Sequence, residues 1–160
     1  MNELNLSDES LGVLLKLKMI NKPKVFMCIG SPKHVWDSYG PMIGTMIKDE
    51  NNSAICYGCL KEPITSSNVE DIENLIRRLY PKHILVAIDG SVTSNKDKAN
   101  NIWIREGGFR PGAAYKKDIR VIGDYSILYA IYIDEFEGKD INLPSVAALE
   151  TMLVIRKLLN

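Results

Sequence analysis

Ile84-Leu85-Val86-Ala87-Ile88-Asp89-Gly90 sets five apolar residues in a row against a carboxylate and a glycine. Such a run, bounded by polar residues, predicts a strand buried on both faces of a parallel sheet. In open α/β sheets the chemistry sits outside the carboxyl ends of the strands, where Asp89 would stand.

Reading outward from this run, Tyr80-Pro81-Lys82 stops a helix that Ser67 or Asn68 caps, with Val69, Ile72, Leu75, Ile76 and Leu79 as its core stripe. Ahead of it lie a short strand at Ala54–Tyr57 and a loop holding Leu60-Lys61-Glu62-Pro63. Lys24–Ile29 reads as the first buried strand, and Gly30–Trp36 as the loop after it. Asp37-Ser38 opens a helix to about Lys48, with Asp37 able to cap the orphan N–H groups and Pro41 tolerated in the first turn. Residues 5–20 form an amphipathic helix capped by Ser7 or Asn5 and ended by Asn21-Lys22-Pro23. Downstream, 102–105 alternates as a strand, 107–112 is a glycine-rich loop, 125–133 is a further strand, and Pro144-Ser145 begins a last helix to Leu159. The strand–helix–strand–helix–strand rhythm predicts a three-layer αβα protein with a mostly parallel sheet. A single domain over residues 1–160 is expected, with the helix of residues 1–22 packed on it.

Twenty basic and twenty acidic residues leave no net charge, so nothing global points to nucleic acid or to a membrane surface. The first twenty residues give no clean apolar core or cleavage site, so neither a signal peptide nor a transmembrane span is expected. Three cysteines, an odd number, do not make a secreted disulfide framework, which makes a cytosolic protein the default. There is no G-x-G-x-x-G, P-loop, G-x-S-x-G or H-E-x-x-H. Cys56-Tyr57-Gly58-Cys59 is a C-x-x-C, but it ends a strand rather than opening a helix, where a dipole would activate a thiol. As a zinc site it would need two further ligands from Cys28, His34 and His83. The thiols read as small core residues. His83 lies at the edge opposite Asp89 and reads as a surface residue, whereas His34 sits in the first loop as a solvated residue or a substrate contact.

Strands one and three of a βαβαβ unit commonly neighbour each other, which would bring Asp37 to Asp89. Two readings stay open on spacing alone. The residues have separate roles, as helix cap and turn former, or they form a pair in which one acid keeps its proton and the other activates water.

Four ordered blocks bear on that choice: Cys-Ile-Gly-Ser-Pro-Lys-His-Val-Trp-Asp-Ser-Tyr-Gly-Pro (28–41), Tyr-Gly-Cys-Leu-Lys-Glu-Pro (57–63), Ala-Ile-Asp-Gly (87–90) and Arg-Pro-Gly-Ala-Ala-Tyr-Lys-Lys-Asp-Ile-Arg-Val-Ile-Gly-Asp-Tyr-Ser-Ile (110–127). Together they resemble the YyaC family of sporulation proteins, itself similar to the germination protease of spore-forming bacteria and, more distantly, to hydrogenase maturation endopeptidases. The resemblance implies a phosphorylase/hydrolase-like fold and an endopeptidase located in the forespore or spore core. Its implied substrate is a protein or peptide, with small acid-soluble spore proteins as the germination protease's own substrates. It also places the catalytic aspartates of that protease on Asp37 and Asp89. The nickel-binding acids of the hydrogenase enzymes fall on the same positions, but no histidine follows His83, so a metal-independent aspartic site without a cofactor is implied. Lys33, His34, Glu62, Lys116 (or Lys117) and Asp124 are the candidate substrate contacts. Alternatives on the same fold are a non-catalytic protein-interaction module and a metal-dependent maturation-type endopeptidase. Tyr39 stands where relatives carry leucine, Gly90 where alanine is common, and Ser31-Pro32-Lys33 where a Thr-Asp-Arg-like start is usual.

Overall fold

The apolar run that starts at Ile84 is the middle strand of a five-stranded sheet. In the computed structural model, which describes residues 6–50, 53–112, 117–135 and 142–160, the elements follow in a simple order. They are α1 (Asp8–Met19), β1 (Lys24–Cys28), α2 (Tyr39–Asp49), β2 (Ile55–Tyr57), α3 (Val69–Leu79), β3 (Ile84–Thr93), β4 (Ile102–Glu106), β5 (Tyr125–Tyr132), a 3-10 turn at Ile133–Glu135, and α4 (Asn142–Leu159). The sheet order is β2-β1-β3-β5-β4, parallel except for β4, which runs antiparallel to β5. The chain steps from β1 outward to β2, then returns to the other side of β1 to form β3. That reversal makes a switch point between β1 and β3 at their carboxyl ends, the position at which open α/β sheets place their sites.

Alternation along the strands sends side chains to two cores. Phe26, Cys28, Val86, Ile88, Tyr125 and Ile127 pack against α1, α2 and α4 on one face. Val25, Met27, Leu85 and Ala87 pack against Val69 and Ile76 of α3, with Ile119 and Ile122, on the other. Both faces are therefore covered, which is why β1 and β3 read as continuous apolar runs. At the N-terminus Ser7 caps α1, its hydroxyl accepting from the Ser10 backbone N–H at 3.2 Å.

The core stripe of α3 is not the expected one. Leu79 is exposed, and Glu73 is buried in its place. Glu73 Oε1 accepts from the Gly123 N–H at 3.1 Å and from Arg77, while Oε2 accepts twice from Arg120, at 3.2 and 3.0 Å. A carboxylate held by two guanidinium groups and a backbone donor is satisfied inside a protein, and here it ties the segment after residue 117 to α3. Glu73→Ala is expected to cost about 2–4 kcal/mol, because it strands the Gly123 N–H and uncouples both arginines. Urea denaturation of the variant beside wild type measures this.

Candidate active site at the carboxyl ends of β1 and β3

β3 is longer than its apolar run suggests. It continues through Asp89 and Gly90 to Thr93, paired with β5 from Val86↔Tyr125 to Thr93↔Tyr132. β1 stops at Cys28, opposite Ile88. Asp89 thus sits mid-strand, but it is the first residue of β3 with no β1 partner beside it. It is not a turn former, and the strand continues because β5 still supplies hydrogen bonds beyond Gly90. Only 6% of Asp89 is exposed, and its Oδ1 is buried with no hydrogen-bond partner.

The vacated side is filled by the loop after β1. Gly30 has φ 145°, and a Cβ there would fall 2.1 Å from the Asp37 carbonyl oxygen. The loop can fold back on itself only because that position lacks a side chain. The Ser31 N–H donates to Asp37 Oδ2 at 2.8 Å, and the Asp37 N–H donates to the His34 carbonyl at 3.1 Å. The far end of the loop lies on β3, since a Cβ on Gly90 would be 3.3 Å from the Trp36 carbonyl oxygen. A small residue after Asp89 is therefore a packing requirement. Gly30→Ala is expected to lower stability by about 2–4 kcal/mol and to displace Asp37, with thermal melts reporting the first effect. Asp37 is not the helix cap that its position suggests. α2 begins at Tyr39 after Ser38, with no side-chain cap bond, and the Asp37 carboxylate closes the loop instead.

The two carboxyls differ in proton affinity. Burial raises Asp37 to about 6, opposed by the Ser31 N–H and by the positive charge of His34 and Lys117. Burial, and then the charge of Asp37, hold Asp89 well above the usual carboxylate range, against an opposing Gly90 N–H. The two are therefore electrostatically linked, with Asp37 the member that ionises first and its charge helping to hold the proton on Asp89. Tyr39, which replaces leucine behind this loop, is fully buried. Its hydroxyl lies 2.6 Å from Thr151 Oγ1 and its ring 5.5 Å from Tyr129, so the extra oxygen is satisfied by α4.

The other predicted contacts divide. His34 is exposed in the Asp37 loop and stacks on Trp36 at 5.5 Å, and Lys33 is exposed beside it. Lys117 reaches the same place from the opposite segment, its ammonium bonded to Ser66 Oγ while its charge acts on Asp37. Lys116 lies outside the described residues. Asp124 does not belong to the site. It accepts from Arg77 at 2.8 Å and from the Leu85 N–H at 2.8 Å, at the start of β3. That is roughly 13 Å along the strand from Asp89, at the opposite edge of the sheet. Glu62 is also elsewhere. Its exposed carboxylate lies 3.6 Å from Lys48, about 14 Å along α2 from the end that Asp37 precedes. His83 is at the far edge as expected but is half-buried against Tyr80, not a surface residue, with Nδ1 unpaired.

Two participants were absent from the sequence reading. The Ser31 N–H is a backbone group with no residue signature, and Ser66 lies in the loop before α3, far from either aspartate in sequence. The three cysteines are free thiols, Cys28 and Cys59 buried and Cys56 half-buried, with Cys28 and Cys56 sulfurs 3.8 Å apart. Among the described residues no three His, Cys, Asp or Glu side chains come together as a metal centre.

Sheet order and strand direction make this a three-layer α/β protein with the phosphorylase/hydrolase-like fold and a mostly parallel five-stranded sheet. The crystal structure of a NiFe hydrogenase maturation protease, HycI from Thermococcus kodakarensis, matches it with a TM-score of 0.55. That match covers 92% of this chain and 99% of that one at 15% identity, a likeness of fold. The chain belongs to the DUF1256 family, described as a protein of unknown function, whose model matches residues 2–157. It is also 30% identical over 120 residues to the uncharacterized protein YyaC of Bacillus subtilis, as the four sequence blocks led one to expect. That alignment takes in 74% of this chain and 58% of YyaC, so the chain spans a little under six-tenths of that relative's length. Among the described residues no helix is long and apolar enough to cross a membrane.

Proposed function

We propose that this chain is an endopeptidase of the germination-protease type, in which Asp37 and Asp89 act together on a water molecule and a peptide bond. The observation that carries the reading is the placement of two carboxyls at the β1/β3 switch point, Asp37 on a loop folded back onto β3 and Asp89 buried on β3 with an unpartnered Oδ1, and burial shifts both upward. Ionised Asp37 takes a proton from water as the oxygen attacks the scissile carbonyl. Protonated Asp89 donates to the developing oxyanion and, as the tetrahedral species collapses, a proton passes to the leaving amine. The Ser31 N–H keeps the Asp37 carboxylate aimed while it works. Lys33, His34 and Lys117 surround the acids and would contact the substrate main chain or its polar groups. The substrate class is protein, with small acid-soluble spore proteins of the forespore as first candidates.

The test is cleavage of those spore proteins by the purified chain in the presence of a chelator. Discrete fragments that persist with chelator support the reading. Intact substrate across a range of spore and vegetative proteins overturns it in favour of a binding role, and cleavage lost with chelator moves it to a metal-dependent enzyme. The pH profile follows from the two acids. The rate is expected to rise as pH passes about 6, where Asp37 ionises, and to fall at higher pH once Asp89 loses its proton. The two limbs are properties of the coupled pair. Initial rates measured in buffers of constant ionic strength report both limbs.

A further inference from the structure

α4 carries apolar residues on two sides. Ala147, Ala148, Thr151, Met152, Ile155 and Leu158 are buried against the sheet and α2. Leu143, Val146, Leu149 and Leu153 follow at spacings of three, three and four on the outer side, each between 39% and 60% exposed, and share it with exposed Glu150, Arg156 and Lys157. A surface helix normally carries mostly polar residues there, so four large apolar ones over three turns leave an apolar patch. α1, which packs beside α4, adds Leu11, Leu15 and Met19 to the same helical layer, all exposed. These seven, with Leu159 at the end of α4, make eight of the twelve exposed large hydrophobic residues among those described, all on two touching helices.

We propose that this face is a self-association surface, on which a second copy of the chain packs α4 against α4 in an antiparallel, two-fold pair. Three observations select a second copy. The first is the stripe itself, which reads nearly the same in both directions. A two-fold axis near Ala148 sets Leu143 beside Leu153 of the second copy and leaves Val146 and Leu149 flanking the axis, as a self-complementary interface requires. Area is the second. The exposed fractions of the seven residues amount to about four whole side chains, on the order of 500 Å² of apolar surface. A standard interface buries about 800 Å² per partner, a little over half of it apolar, so the patch is large enough. The third is charge. The chain has no net charge to repel its copy, and Glu150 and Lys157 on the outer side of α4 are of opposite sign. A helix built to lie on a bilayer carries a lysine- and arginine-rich polar face, which α4 lacks.

Sedimentation velocity of the full chain across the micromolar range tests the proposal, with Leu149→Glu and Val146→Glu as variants. Wild type is expected to form a dimer whose dissociation constant rises at least about thirtyfold in either variant. Both positions are exposed, so circular dichroism and melting temperature should match wild type. A short bismaleimide acting on Val146→Cys is expected to link two copies, and not on a cysteine placed at exposed Arg78 on α3. Wild type that stays monomeric throughout overturns the proposal, as does a dimer indifferent to both glutamates. A monomer that instead sediments with lipid vesicles assigns the face to a membrane and also overturns it.

Discussion

Asp89→Asn is expected to lower peptide-bond cleavage by about a thousandfold, with KM nearly unchanged, because it removes the proton that a buried acid supplies during reaction. Asparagine has the same shape and keeps the position filled, so the fold should survive. Asp37→Asn is expected to cost as much, through loss of the base. The double variant should be little worse than either single one, since the two carboxyls act as a unit and half a unit does no acid–base work. Single-turnover assays of the three variants on one cleavable substrate check this. Retention of activity within about tenfold in either single variant would take the pair out of the chemistry.

The same substitutions are expected to raise stability at alkaline pH. The unfolded chain ionises an aspartate near pH 4, whereas folded Asp37 does so at about 6 and Asp89 higher still. Between those limits the folded state holds more protons on these two groups than the unfolded state, so their contribution to stability should be greatest near pH 4 and decline as pH rises. For Asp37 a displacement from 3.8 to about 6 corresponds to at most roughly 3 kcal/mol, and its partial exposure makes about 1–2 kcal/mol the better expectation. Asp37→Asn should therefore be more stable than wild type at pH 8 by about that amount and equal to it near pH 4, since the amide oxygen can still accept from the Ser31 N–H. The Asp89→Asn gain should persist to higher pH. Guanidinium titrations at pH 4, 6 and 8 decide the matter. Variants that gain nothing on wild type between pH 4 and 8 would mean that the two acids are better solvated than their burial suggests. A gain makes the site a place where the fold gives up stability to hold two acids together, a common arrangement where function requires strained electrostatics.

Much of this architecture is legible in the chain because its causes are local. β1 and β3 announce themselves as continuous apolar runs since both sheet faces are covered, and Ser7 caps α1 through a hydroxyl three residues from its donor. The acidic residue after Ile88 is likewise visible as the end of an apolar run. Misreadings arose where a residue's partner is distant in sequence. Asp124, directly after the last glycine of its loop, was expected at the active edge, but Arg77 and the Leu85 N–H hold it at the other end of β3. Glu73 lies outside the apolar stripe read for α3, and only Arg77, Arg120 and the Gly123 N–H make its burial tolerable.

The sequence by itself determined the order of strands and helices, the acid at the tip of the central run, and its second acid in the loop after β1. Spacing and apolar pattern are enough for the elements and for the positions of the two acids, while their pairing stayed open on spacing and came from the four-block resemblance. Only the tertiary structure decided that Asp37 closes its own loop rather than capping α2, that β3 runs on past Asp89 while β1 stops, and that Asp89 is left buried beside a charge. Proton affinity is a sum over desolvation and neighbouring dipoles, and neither exists until the loop from Gly30 to Asp37 has folded back onto β3.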